Sequence, residues 1–218
     1  MSVFVFDAYG TLFDVHAAVA RYREEIGPDA DRISEVWRTK QLEYTWTCTL
    51  AGIYIDFWSL TERALDYALA RFPTADKNVK SKLLDAYRTL DAYPDARETL
   101  KALKKRGART GILSNGSPRM LAAAVKSAQL GEYLDAVLSV DSVRAYKPRS
   151  DVYRLVTQGM GVSSQDVIFV SSNRWDVMGA RVFGFRTFWV NRTSLPEEYH
   201  AQPPERIVQD LRSLIAFA

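Results

Sequence analysis

Four short segments of this chain end in side chains that can attack carbon, move a proton or hold an anion. In VFVFDAYGTLFDV (residues 3–15) an apolar run stops at Asp7, and a Gly-Thr turn carrying Thr11 follows. A carboxylate at the end of a strand buried on both faces must open into a cleft, be paired, or destabilise the fold. A second segment ends in Ser114-Asn115, a loop after the third carries Lys147-Pro148, and the fourth ends in SSNRWD (171–176). Singly, each has a plainer explanation. Asp7 or Ser114 could cap a helix, Lys147 could be solvated, and Asp176 could sit in a helix's first turn, where its charge is favoured. Together, a carboxylate, a hydroxyl, an ammonium and a second carboxylate describe one polar site.

Other chemistries have little to stand on. Cys48, the single cysteine, cannot form an internal disulfide and lies in an aromatic-rich helical stretch as a small core hydrophobe. His16 and His200 are far apart and show no metal-ligand spacing, which argues against a zinc site or a histidine triad. The net charge of +3 is mild, and the cluster KALKKRGAR (101–109) falls at a helix end, where cations suit the macrodipole. It is expected to be a solvated terminus and not a nucleic-acid patch. No apolar run approaches the roughly 18 residues of a bilayer span, and no signal peptide precedes the first strand, so a cytoplasmic location is expected.

The elements that must position these groups follow from periodicity. A strand at 3–6 is followed by a long helical stretch. A helix over 31–52 has Asp31 as N-cap, Gly52 as stop, and Ile33, Val36, Trp37, Leu42 and Trp46 at helical spacing. Further helices are predicted at 57–71 and 77–90. Another runs through YPDARETLKALKKRG, with Pro94 near its start and Gly107 past its end. Strands then alternate with helices: strand 108–116 into a turn, a helix to 129, strands at 136–140, 167–173 and 187–191, and helices at 150–160 and 175–183. This predicts an α/β fold: a Rossmann-like parallel sheet core (1–14 and 91–218) with an inserted all-helical cap (15–90). The first strand has no partner within that helical block. Ligands bind at the carboxyl ends of strands in such sheets, where the four polar segments lie.

DAYGT, LSNGS, YKP and VSSNRWD in this order resemble the four motifs of the haloacid dehalogenase-like superfamily. The resemblance spans nearly the whole chain, and in the helical block WRTKQLEYTW is similar to a segment of the L-2-haloacid dehalogenases. Most of the superfamily are phosphate-transfer enzymes, whose first motif is Asp-x-Asp. The second Asp acts as general acid there, and its backbone carbonyl binds magnesium. Here that position is Tyr9, a poor replacement acid with an ordinary pKa of about 10. Their fourth motif, Gly-Asp-x-x-x-Asp, has Ser172, or Ser171 beside it, where a carboxylate ligand belongs. Magnesium favours hard oxygen ligands, usually one or two carboxylates with phosphate oxygens. These departures match the L-2-haloacid dehalogenases, and no metal or other cofactor is expected.

The resemblance implies hydrolysis of short L-2-haloacids to 2-hydroxy acids with inversion. Asp7 would attack the carbon bearing the halogen and form an ester, and water would then cleave it. Lys147 would orient Asp7 and balance its charge. Thr11 and Asn173 would fix the carboxylate and the ester, while Asp176, supported by Ser171, would position or deprotonate the water. Arg38, in contact with both halide and substrate carboxylate, and Asn115 would receive the halide. Ser114 and the backbone amides of Ala8 and Tyr9 would hold the substrate carboxylate. Tyr9, Leu42, Phe57 and Trp175 would form a dry wall, and Tyr153 would reach Lys147 or Asp7. The expected partners are the small 2-haloacid, the halide ion and a second copy of the chain, with Tyr44, Trp46 and Tyr54 offering an apolar face or packing internally. The rival readings are a small-molecule phosphatase with altered metal binding and a non-catalytic carboxylate-binding protein.

Overall fold

The computed structural model describes residues 2–73, 75 and 78–218. Val3–Phe6 (β1) is one of the two central strands of a six-stranded sheet, entirely buried as its unbroken apolar run requires. It pairs in parallel with Arg109–Ser114 (β2) on one side. Between them in the chain come Ala17–Ala20 (α1), Arg23–Ile26 (α2), Ala30–Leu50 (α3), Phe57–Arg71 (α4), Val79–Arg88 (α5) and Pro94–Lys105 (α6). Then follow Pro118–Ser127 (α7), Ala136–Ser139 (β3), Ser150–Met160 (α8), Val167–Ser171 (β4), Arg174–Phe183 (α9), Arg186–Val190 (β5) and Arg206–Val208 (β6). The strand order is β3-β2-β1-β4-β5-β6 and every pairing is parallel, which makes this an α/β Rossmann-like fold.

Local chemistry explains the boundaries. Pro94 and Pro118 occupy first-turn positions, and the Ser117 side chain caps α7 by accepting from Met120 N. Asp56 does the same for α4 through Ser59 N. The long helix differs from its predicted start. It begins at Ala30 with Asp29 at the N-cap, because Asp31 instead pairs with Arg23 across the preceding turn. It ends at Leu50, and Gly52 takes the left-handed backbone beyond it (φ +70°). Residue 77, the predicted start of the next helix, lies outside the described residues, and α5 is seen from Val79. Helices α1 and α2 and strand β6 have no counterpart in the periodicity reading. Among the described residues, no helix is long and apolar enough to cross a membrane.

Helices α3 and α4 pack along each other, and α1 packs on α5 and α3. The buried stripe of α3 contains Ile33, Trp37, Gln41, Thr45 and Cys48. Ser34, Gln41 and Thr45 are polar residues buried on this helix, and each is hydrogen-bonded.

Candidate active site

The carboxyl ends of β1, β2 and β4, with the loop after β3, bring Asp7, Ser114, Asn115, Lys147 and the 171–176 segment to one place. Lys147, with no exposed side-chain area, sets its ammonium between two carboxylates. Nζ is 3.0 Å from Asp7 Oδ1 and 2.9 Å from Asp176 Oδ2. A lysine so deep is tolerable only because both neighbours are anionic, and they raise its pKa against the opposing effect of burial.

Donor directions follow from the bonding chain. Thr11 Oγ1 accepts from Ser172 N (2.9 Å), which turns its proton to Asp7 Oδ2 at 3.2 Å. Asn173 Nδ2 donates to the same oxygen at 2.7 Å, and Asp7 N is tied to Val170 O (2.9 Å). The carboxylate thus has one donor on Oδ1 and two on Oδ2. Gly10 makes the turn beneath it at φ +94°, which disfavours any residue with a Cβ. Arg192 fastens the turn from behind, donating to Thr11 O (3.2 Å) while forking onto Asp95.

Asp176 is fully buried. Its Oδ1 accepts from Tyr153 OH at 2.8 Å, opposite the Lys147 contact. Burial raises its pKa to about 6; Lys147 opposes the shift and Asp7 adds to it. This places Tyr153 differently from the sequence reading: its hydroxyl reaches Asp176, not Lys147 or Asp7, and it is not part of the cavity lining beside Asp7. Gly179 makes that approach possible, since a Cβ there would come within 2.5 Å of Tyr153 OH. Ser171 also differs. Its hydroxyl accepts from Asn173 N (3.1 Å) and shapes the turn, and among the hydrogen bonds of the described residues none joins it to Asp176.

Across from the sheet, α3 delivers Arg38. Its Nη2 donates to Tyr9 O at 3.0 Å and lies 3.4 Å from Asn173 Oδ1, while Nη1 donates to Gln41 Oε1 at 2.7 Å. Asp7, Tyr9, Arg38, Leu42, Phe57, Ser114, Asn115, Asn173 and Trp175 enclose a cavity of about 10 Å³, roughly one water in size. Tyr9 is held by stacking on Tyr87 (5.7 Å, 9°) and by Phe57 (5.8 Å). Burial pushes its phenol well above the usual range, so it remains neutral. Trp175 meets Trp46 edge to face at 5.4 Å, and Tyr54 stacks on Tyr146 at 5.4 Å while bonding Asp141. Trp46 and Tyr54 are therefore packed within the chain. Asn115 Oδ1 is taken by Lys147 N (3.2 Å), which leaves its NH₂ as the end available to an anion. Ser114 Oγ accepts from Gly116 N, and the Ala8 carbonyl gathers the amides of Thr11, Leu12 and Phe13. Ala8 itself is buried beside the cavity and not part of its lining.

Sequence reasoning missed Gln41, Thr61, Tyr87 and Arg192. The signal for Gln41 was there: a glutamine on the buried stripe of α3, three residues after an arginine.

A buried lysine between two carboxylates at the ends of a parallel sheet is the arrangement expected of a hydrolase of the haloacid dehalogenase type. A haloacid dehalogenase-like hydrolase family model matches residues 1–184. (S)-2-haloacid dehalogenase 4A of Burkholderia cepacia is 48% identical over 211 residues, covering 96% of this chain and 91% of the relative. A crystal structure of a dehalogenase superimposes with a TM-score of 0.98 at 46% identity, covering 100% of this chain and 97% of that one. L-2-haloacid dehalogenase from Xanthobacter autotrophicus, with chloropropionic acid covalently bound, superimposes with a TM-score of 0.90 at 38% identity, covering 100% and 98%. The chain belongs to the haloacid dehalogenase-like hydrolases, in the L-2-haloacid dehalogenase family.

Proposed function

We propose that the chain hydrolyses short L-2-haloalkanoic acids to 2-hydroxy acids with inversion, through an ester on Asp7 and without a metal ion. The substrate carboxylate would lie against Ser114 and the amides of Ala8 and Tyr9, its alkyl group against Tyr9, Leu42, Phe57 and Trp175. Asp7, oriented by Lys147, Thr11 and Asn173, attacks the halogen-bearing carbon from the side opposite the halide. The carbon–oxygen bond forms as the carbon–halogen bond breaks, and the halide leaves with the electron pair. Arg38 and the Asn115 NH₂ meet that developing charge. Water then adds to the ester carbonyl of Asp7 and gives a proton to Asp176. The product oxygen leaves with the proton held by Asp176, the second proton of the water passes to solvent, and Asp7 is regenerated as a carboxylate.

The observation that carries this reading is the Arg38 guanidinium on the Tyr9 carbonyl. In the phosphatase pattern the equivalent carbonyl binds magnesium. Here a cation of the protein already sits on it, Tyr9 replaces the neighbouring carboxylate, and Ser172, or Ser171 beside it, replaces the other. The donor set does not fit a divalent ion. Charge matching points the same way: a monoanionic carboxylate and a halide need less compensation than a phosphate dianion. The covalently bound chloropropionic acid in the Xanthobacter relative also supports an ester.

Residues 1–14 and 91–218 would act as the core domain, with 15–90 as a cap that contributes Arg38, Leu42 and Phe57. A cytoplasmic homodimer completes the proposal; sedimentation at graded concentrations tests the dimer.

The functional test is halide release from L-2-chloropropanoate with excess chelator, beside hydrolysis of p-nitrophenyl phosphate with magnesium. Chelator-resistant halide release is expected. Magnesium-dependent phosphate release without halide release would favour the phosphatase reading.

A further inference from the structure

The arginine on the helical side of the cavity is oriented by a relay with only one consistent proton direction. Thr61 Oγ1 donates to Phe57 O at 2.7 Å, so toward Gln41 it can only accept. Gln41 Nε2 faces Thr61 Oγ1 at 2.7 Å and lies 3.0 Å from Tyr87 OH. With its amide nitrogen held there, Gln41 must turn its oxygen to Arg38 Nη1, which it meets at 2.7 Å. Gln41 is 1% exposed and Thr61 is fully buried, so water does not compete for these bonds. The same relay joins the wall: Tyr87 stacks on Tyr9, and Phe57, whose carbonyl ends the chain, lines the cavity.

Every other charged group beside the cavity has an ionic partner; Arg38 has none among the bonds it makes. A carboxylate at position 41 would hold the guanidinium equally well and would cancel its charge. We propose that Gln41, set by Thr61 and Tyr87, is a positioning residue that aims Arg38 at the anionic ligand while leaving its full positive charge for that ligand. The proposal rests on the dehalogenase reading and deepens it, making anion affinity depend on a neutral amide that touches no substrate atom.

Two variants separate the roles. Gln41→Met keeps length and packing but removes the acceptor. Gln41→Glu keeps the acceptor and adds the compensating charge. Steady-state kinetics on L-2-chloropropanoate would be read beside bromide affinity, followed by quenching of Trp175 fluorescence, and thermal melting of each variant. Gln41→Glu is expected to raise KM and the bromide dissociation constant about tenfold with kcat changed less than about threefold. Gln41→Met is expected to lower kcat about tenfold with a smaller effect on KM. Thr61→Val, which frees the amide to turn, should shift the same way as Gln41→Met but less.

The proposal is overturned if both Gln41 variants keep bromide affinity and KM within about twofold of the wild type. It is equally overturned if both lose kcat and affinity in parallel with their melting temperature, since that is a packing role alone. Wild-type protein that binds bromide but releases no halide from the haloacid overturns the activity reading only, and the bromide contrast still decides Gln41. Wild-type protein that does neither overturns both.

Discussion

The two sides of the cavity are built on opposite electrostatic rules. On the sheet side charges answer charges: Lys147 lies between Asp7 and Asp176, and all three are almost wholly withdrawn from water. On the helical side Arg38 is held by a backbone carbonyl and two side-chain amides, all neutral. Two carboxylates and one ammonium leave the sheet side with one negative charge, whereas Arg38 keeps its positive charge unpaired on the other wall of the cavity. The sheet side therefore fixes the direction and partners of the Asp7 carboxylate, the nucleophile of the proposed reaction. The helical side presents positive charge to something that arrives and leaves. An enzyme whose substrate and leaving group are both anions needs that division, because a fully paired site would offer neither anion an attraction.

The difference predicts unequal responses to mutation. Asp7→Asn should lower turnover by about 10⁴-fold or more, measured as halide release, because no second carboxylate is placed to attack. Lys147→Met should come next in activity and first in stability. It leaves two buried carboxylates facing each other, and a loss of about 3–5 kcal/mol is expected in denaturant melts. Arg38→Met should separate the two sides cleanly: about a hundredfold loss of kcat/KM with a stability change nearer 1 kcal/mol, since its partners are neutral and the residue is only part-buried. Equal destabilisation by the two variants would erase the distinction.

Smaller effects sharpen it. Asp176→Asn should slow ester cleavage more than its formation, so mass spectrometry of the protein after mixing with L-2-chloropropanoate should show a retained 1-carboxyethyl group. An unmodified protein under the same conditions would remove Asp176 from the second step. In the wild type, Asp176 accepts a proton only when ionised, and its pKa is raised to about 6. Turnover should therefore be level at neutral pH and fall as pH drops through about 6, instead of holding to the ordinary carboxylate range near 4. The raised pKa of Lys147 keeps its ammonium charged throughout that interval.

The sheet side was far more legible in the sequence than the helical side, for a physical reason. Strand ends in a parallel sheet all point to one edge, so Asp7, Ser114, Lys147 and Asp176 could be gathered from strand order alone. Helix contacts depend on rotation and crossing angle. Arg38 was found by resemblance, and Gln41, bonded to it, went unremarked although a buried glutamine in a core stripe was visible. The Tyr153 hydroxyl meets Asp176 and not Lys147 or Asp7, because its path depends on the space left by Gly179, which no periodicity encodes. Strand β6 is three residues long and largely exposed, too short for an alternating pattern to show.

The central claim is that the oxygen delivered to the substrate comes first from Asp7 and not from water. A single turnover in water enriched in heavy oxygen, with protein in excess over L-2-chloropropanoate, tests it directly. The account predicts a first product with ordinary oxygen at the hydroxyl and heavy oxygen located in the Asp7 carboxylate by peptide mass analysis. Heavy oxygen in the first product, with Asp7 unlabelled, would mean that water attacks the carbon directly and that no ester forms.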